Sequence, residues 1–326
     1  MQSKLYRVIE GDDILKLSEN KADAIVEGMI NENDYIMLVA EEKMGKTILA
    51  QQLACSLTKG IPFLGTFDIP KPTRVWYFAT EGKAEDLKDR FIRMNRGVPM
   101  DTSMLKLIPS SFRFNTPEGL KSLSNLIEEY KDELPKVIII DALYRAIKGS
   151  IRNDDIVNEF HHTIAWLIEQ CDCAVVLVHH MTKPQRTPTG QYMERSDKDT
   201  FGSAFLLAAV DHVFWIERWI KTTDKESKKD KLIRCDTQRG GYITNNVRIR
   251  LIEPNPLYFV TVSKHLEEKH RVLQLLKSLK GVGMEMTELE NKTNVARTTL
   301  YIVVKELQRE GLIIKEGTKP KLFRVV

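Results

Sequence analysis

A lysine and a threonine stand side by side at the end of a short polar turn, Ala40-Glu41-Glu42-Lys43-Met44-Gly45-Lys46-Thr47, and Ile48 follows. Backbone N–H groups of such a turn, together with the N-terminus of the helix after it, surround phosphate oxygens. The lysine reaches the β- and γ-phosphates, and the hydroxyl ligates Mg²⁺. Lys46 and Thr47 fit those two tasks, and Ala40 to Ile48 is the expected nucleotide-binding stretch. Ala40 occupies the place where the general pattern has its first glycine, so the flanking sequence has to decide.

Other polar residues end apolar runs in the same manner. Val75-Trp76-Tyr77-Phe78-Ala79-Thr80 leads to Glu81, a carboxylate able to polarise an attacking water. Val137-Ile138-Ile139-Ile140 leads to Asp141; a charge behind four aliphatic residues is costly unless a cation or strong donors meet it, and Mg²⁺ is the expected cation. Ala174 to Val178 leads to His179 and His180, suited to sensing the γ-phosphate or to a structural role. No third ligand follows at a spacing that favours zinc. The segment after them, Met181 to Phe201, carries Lys183, Arg186, Arg195 and Lys198 among Pro, Thr, Gly and Ser. It is too polar to pack and long for a connector; lining a channel, its cations would grip a phosphate backbone. A plain surface loop is the alternative.

The elements that must position these residues follow from the pattern. Apolar runs at Tyr35 to Val39, Val75 to Ala79, Val137 to Ile140, Ala174 to Val178 and His212 to Ile216 alternate with helical spacing, as in Leu49, Leu53 and Leu57. This predicts an α/β fold, a mostly parallel sheet with helices on both faces, whose ligands bind beyond the carboxyl ends of the strands. Leu232 to Asp236, Val247 to Ile252 and Tyr258 to Val262 read as short strands that finish the sheet. Helical spacing resumes near Val272, Leu275, Leu276 and Leu279, so the expected division is a first domain over 1–264 and a second over 267–326.

In the second domain Thr287-Glu288-Leu289-Glu290 has the form of a capping box. A helix from about Val295 to Glu310 has Leu300, Val303, Val304 and Leu307 on one face and Thr298, Tyr301, Lys305 and Arg309 turned away. Leu312 to Ile314 and Leu322 to Val325 read as the arms of a hairpin. The set resembles a winged helix-turn-helix, which places a recognition helix in the major groove. Its expected DNA contacts are Arg297, Tyr301, Lys305, Lys319 and Lys321; protein docking is the other common use of such a module.

The 326 residues carry a formal charge of +4 and a pI near 8.7, which permits nucleic acid as a partner without requiring it. Residues 267–326 hold twelve Lys/Arg against eight Asp/Glu, so the excess lies there. Cys55, Cys171, Cys173 and Cys235 show no zinc spacing and read as thiols of a reducing cytosol. No signal-peptide core or stretch of about 20 apolar residues is present, so the expectation is a cytoplasmic protein without a membrane span.

Taken together these residues resemble the RecA-like ATPases, and within them the DnaB-type and plasmid RepA-type hexameric helicases, over about Ile25 to Val262. The DnaB-type phosphate loop also opens with alanine and has Met before Gly-Lys-Thr. Ile25-Val26-Glu27-Gly28-Met29-Ile30 resembles the RepA-like lead-in segment. The pair His179-His180 with Lys183, then Gly202-Ser203-Ala204 leading to Asp211, resembles the sensor and DNA-loop region. The resemblance implies ATP and Mg²⁺ as ligands, Glu81 as catalytic base, Asp141 at the metal and Arg239, in Thr237-Gln238-Arg239-Gly240, as a finger reaching a neighbouring subunit's site. It further implies a homo-oligomer, a hexamer by family habit, acting as a DNA helicase or translocase, with replication of a plasmid or virus as the expected setting. The alternatives are a non-unwinding loader or switch that assembles on duplex DNA, and a DNA-binding regulator whose ATPase site has decayed.

Overall fold

The computed structural model describes residues 11, 23–109, 113–181, 205–219, 230–237, 246–262, 265–279, 281–309, 312–317 and 322–325. A short hairpin, β1 (Ala24–Val26) and β2 (Ile30–Asn31), precedes β3 (Tyr35–Ala40), whose six residues are all buried. Burial on both faces explains why this run is apolar without alternation. The strands β4 (Val75–Ala79), β6 (Val137–Asp141) and β7 (Ala174–His180) repeat the pattern. Their hydrogen-bonded neighbours are all parallel, and β3 also pairs in parallel with β8 (His212–Arg218).

Among the described residues nine strands form this sheet. Outside β4 lies β5 (Leu105–Pro109), and outside β8 lie β9 (Lys231–Thr237), β10 (Val247–Ile252) and β11 (Tyr258–Thr261), joined antiparallel. The order β11-β10-β9-β8-β3-β7-β6-β4-β5 puts β3 at the centre. The three short strands expected after Ile216 are present. The edge strand β5 was not expected from sequence; its first four residues are only half-buried and it ends in proline, as an edge tolerates.

Alternate residues of the strands feed two cores, one on each face. Ile36, Leu38 and Ala40 pack with Leu49, Leu53 and Leu57 of helix α1 (Lys46–Lys59); Met37 and Val39 pack on the other face with Phe160, Ile164 and Leu167 of Asp154–Cys171. The latter helix starts at Asn153, whose side chain accepts bonds from the N–H groups of Asp155 and Ile156. Helix α1 is tied to the far edge strand by Gln52, which donates to the Phe259 carbonyl at 2.8 Å and accepts from its N–H at 2.6 Å.

Beyond the sheet, helices Leu266–Ser278, Met286–Thr293 and Arg297–Arg309 enclose a separate core with strands Met284–Glu285, Ile313–Glu316 and Leu322–Val325. Leu300, Val303, Val304 and Leu307 are buried there, as their spacing predicts, and Thr298, Tyr301, Lys305 and Arg309 are exposed. The capping box is a correction. Met284–Glu285 pairs with Leu322–Phe323, and the chain passes from that strand directly into the helix, so Glu285 is the N-cap and Thr287 lies within the first turn.

Candidate functional site

The turn after β3 is shaped by Gly45 at φ 86°, a left-handed conformation that glycine adopts without strain. A β-carbon there would also lie 2.8 Å from the Phe259 ring. Lys46 follows as the first residue of α1 and is buried; its Nζ donates to the carbonyls of Ala40 at 2.9 Å and Glu41 at 2.7 Å. Burial pulls its ammonium pKa down to about 8, with Asp141, Glu42 and Glu81 opposing. The lysine is thus folded onto its own loop and is held there by acceptors that phosphate oxygens can replace. Glu42 and Lys43 are exposed on the turn, Met44 is buried, and Glu41 lies 3.5 Å from Arg218.

Thr47 Oγ1 donates to Asp141 Oδ1 at 3.3 Å, and the buried Tyr77 hydroxyl donates to Oδ2 at 2.6 Å. Burial raises the Asp141 pKa, while the bonds from Tyr77 and Thr47 lower it. A hard carboxylate beside a hydroxyl suits Mg²⁺, which takes few protein ligands and completes its shell with water and phosphate oxygens. These residues therefore fit the ion. Among the described residues no group of three or more His, Cys, Asp or Glu could hold a metal by itself.

Glu81 comes next to this pair. The turn that carries it is stitched to the turn after Asp141, because Thr80 Oγ1 donates to the Ala142 carbonyl at 2.8 Å and accepts from the Ala142 N–H at 2.7 Å. The Tyr144 hydroxyl donates to Glu81 Oε2 in a short bond, and His180 Nε2 lies 3.9 Å from Oε1. His180 and then Tyr144 hold the Glu81 carboxyl below the usual range, against burial. Strand alternation separates the two histidines: His180 faces Glu81, and the fully buried His179 takes the opposite face.

The structure thus brings together Lys46, Thr47, Glu81, Asp141 and His180. It places Asp211 elsewhere: its carboxylate accepts the Tyr35 N–H at 2.8 Å, at the start of β3 and away from the phosphate turn. Arg239, Lys183, Arg186, Arg195, Lys198, Lys319 and Lys321, with 202–204, lie outside the described residues. Arg297 pairs with Glu290 at 2.9 Å, whereas Tyr301 and Lys305 stand exposed on the last helix. Sequence reasoning missed Tyr77, Thr80 and Tyr144. No local signal marks them, since their partners lie 64, 62 and 63 positions away in the chain.

Residues 3–186 match the model of a family described as AAA domain, more than half of the chain. Among solved structures, one described as an ATPase domain gives a TM-score of 0.54 at 12% identity, covering 71% of this chain and 86% of that one. A DnaB-like replicative helicase, described with its interactions with primase, gives 0.56 at 14% identity over 79% of this chain and 69% of that one. No curated protein matches the sequence. Both structural likenesses concern the fold, a mostly parallel sheet of RecA-like type with the phosphate turn after its central strand. The chain belongs to the AAA domain family, and its sheet has the RecA-like fold.

Proposed function

We propose that this protein is an ATP-driven DNA helicase or translocase of the RecA-like class, acting as a homo-oligomeric ring in replication of a plasmid or virus. The observation that carries the reading is the convergence of Lys46, Thr47, Asp141 and Glu81 at the carboxyl ends of β3, β4 and β6. The β- and γ-phosphates of ATP take Lys46 from the carbonyls of Ala40 and Glu41. Thr47 and Asp141 would hold Mg²⁺, which would supply charge neutralisation at the transferring phosphoryl group. Glu81, kept ionised, orients a water in line with the γ-phosphorus and accepts its proton as the bond to the ADP oxygen breaks.

One feature favours a site completed by a second copy. In the antiparallel register Thr237 faces His212, which is level with Ile36 at the start of β3. The chain therefore leaves β9 about 13 Å behind Ala40 along the strand direction, from four residues of rise, and two strands to the side, heading away from its own phosphate turn. Arg239 follows two residues later, so a neighbouring copy's site is the better destination for its charge, and a lone subunit would hydrolyse ATP slowly.

This reading divides the chain into an ATPase part over 1–264 and a DNA-facing part over 267–326. Exposed Tyr301 and Lys305 on the Arg297–Arg309 helix favour a second version, in which the protein grips duplex DNA through a winged helix and ATP controls assembly without unwinding. Strand displacement on a forked substrate decides between them. Unwinding that needs ATP and is lost in Lys46→Ala supports the first; DNA-stimulated hydrolysis without displacement supports the second; no nucleotide binding contradicts both.

A further inference from the structure

Two tyrosines do the same thing to two different carboxylates. Tyr77 lies on β4 two residues before Ala79, and Ala79 is paired with Asp141. Its ring therefore runs diagonally across the strand pair on the face that packs against α1, and its hydroxyl ends on Asp141 Oδ2. The other oxygen, Oδ1, is left beside the Thr47 hydroxyl, on the side of the phosphate turn. Tyr144 sits three residues beyond Asp141, on the short helix Leu143–Ala146, and its hydroxyl ends on Glu81 Oε2. The other oxygen, Oε1, is turned toward His180.

The two anchors differ in their surroundings. Tyr77 is fully buried and edge-on to Phe91, with ring centroids 6.0 Å apart. Tyr144 is exposed along one side, edge-on to His180 at 5.6 Å, with the Arg145 guanidinium 5.3 Å from its ring. The pair of hydrogen bonds between Thr80 and Ala142 fixes the two turns to each other, so Glu81 and Tyr144 keep their separation. A carboxylate with one oxygen held has one oxygen to offer, in one direction, and that is the requirement of a group that must face a metal's water or an attacking water.

We infer that Tyr77 and Tyr144 are the positioning residues of this site, each anchoring one carboxylate oxygen, Tyr77 to aim Asp141 at the metal and Tyr144 to aim Glu81 at the water. The inference rests on the ATPase reading above and assigns separate consequences to the two hydroxyls. Tyr77→Phe weakens metal binding. Tyr144→Phe slows the chemical step and leaves metal binding alone.

The test is a Mg²⁺ titration of fluorescent ATP-analogue binding, with single-turnover hydrolysis beside it, on the full chain. Loss of an outer anchor of this kind typically costs 10–100-fold, so Tyr77→Phe is expected to raise the Mg²⁺ midpoint about 10-fold. Tyr144→Phe is expected to lower the single-turnover rate about 10-fold while the Mg²⁺ midpoint and the KM for ATP stay within about twofold. Wild-type values for both variants overturn the inference, as does a shift of the same quantity by both. Should Tyr77→Phe not fold, Tyr144→Phe, on a ring already exposed, decides alone through the split between rate and KM. Asp141→Asn and Glu81→Gln separate the two layers. If these change midpoint and rate while the tyrosine variants do not, only the anchoring fails; if Asp141→Asn leaves the midpoint unmoved, the metal site itself is misassigned and the anchoring falls with it.

Discussion

The carboxyl ends of the central strands and the last helix, Arg297–Arg309, hold their polar side chains in opposite ways. At the strand ends Lys46 and Asp141 are buried, and every polar contact has a named partner: carbonyls for the lysine, two hydroxyls for the carboxylate. On the last helix Tyr301 and Lys305 project outward over a closed apolar core. Buried charge is expensive, so each charge in the first region is held by partners at fixed positions. Exposed charge costs little and suits a long polyanion approached from solvent. One residue of the helix is tied to the rest of the chain: Arg309 reaches the Asp68 carboxylate at 2.7 Å and the Thr66 carbonyl at 3.1 Å, in the connection that precedes β4.

This contrast can be broken at several points. The largest effect is expected at Lys46→Ala, which should cut steady-state phosphate release by about 10³-fold, since a fixed charge at the transferring phosphoryl group is removed; an unchanged rate would make the turn an ordinary strand-to-helix connection. Leu300→Ala empties a fully buried position of the C-terminal core and should cost about 2–5 kcal/mol of that region's stability. Thermal unfolding should then show an early C-terminal transition with nucleotide binding intact, and simultaneous loss of nucleotide binding would end the separation drawn here. Lys305→Ala should weaken duplex DNA binding evenly across sequences and reduce the salt slope of log K by about one, measured by fluorescence anisotropy. The smallest effect belongs to Arg309→Ala. Its pairing is exposed, so urea unfolding should register about 1 kcal/mol or less.

The contrast also explains what could be read from the amino-acid sequence. The strand before Lys46 and the strand before Asp141 were legible because burial on both faces demands an unbroken apolar run, and the charge that ends each run has no core to enter. The buried face of Arg297–Arg309 was legible for the same reason at helical spacing. The edge strand Leu105–Pro109 was not, since half-burial leaves no periodic signature. Thr287 misled because a capping sequence is local, whereas the helix start is set by pairing of Met284–Glu285 with a strand almost forty residues away. Tyr77 and Tyr144 were illegible as site residues: a tyrosine within Val75–Ala79 reads as core, and its partner Asp141 is 64 positions distant. Asp211 shows the reverse, a carboxylate next to a strand that serves the amino end of the sheet.

The central claim is that a triphosphate and its metal occupy the turn closed by Lys46 and Thr47. A crystal structure with a non-hydrolysable ATP analogue and Mg²⁺ tests it most directly. The account predicts Lys46 Nζ withdrawn from the carbonyls of Ala40 and Glu41 and placed on β- and γ-phosphate oxygens, with Thr47 and Asp141 facing the ion. Nucleotide bound elsewhere, with Lys46 still on those carbonyls at saturating analogue, would contradict it.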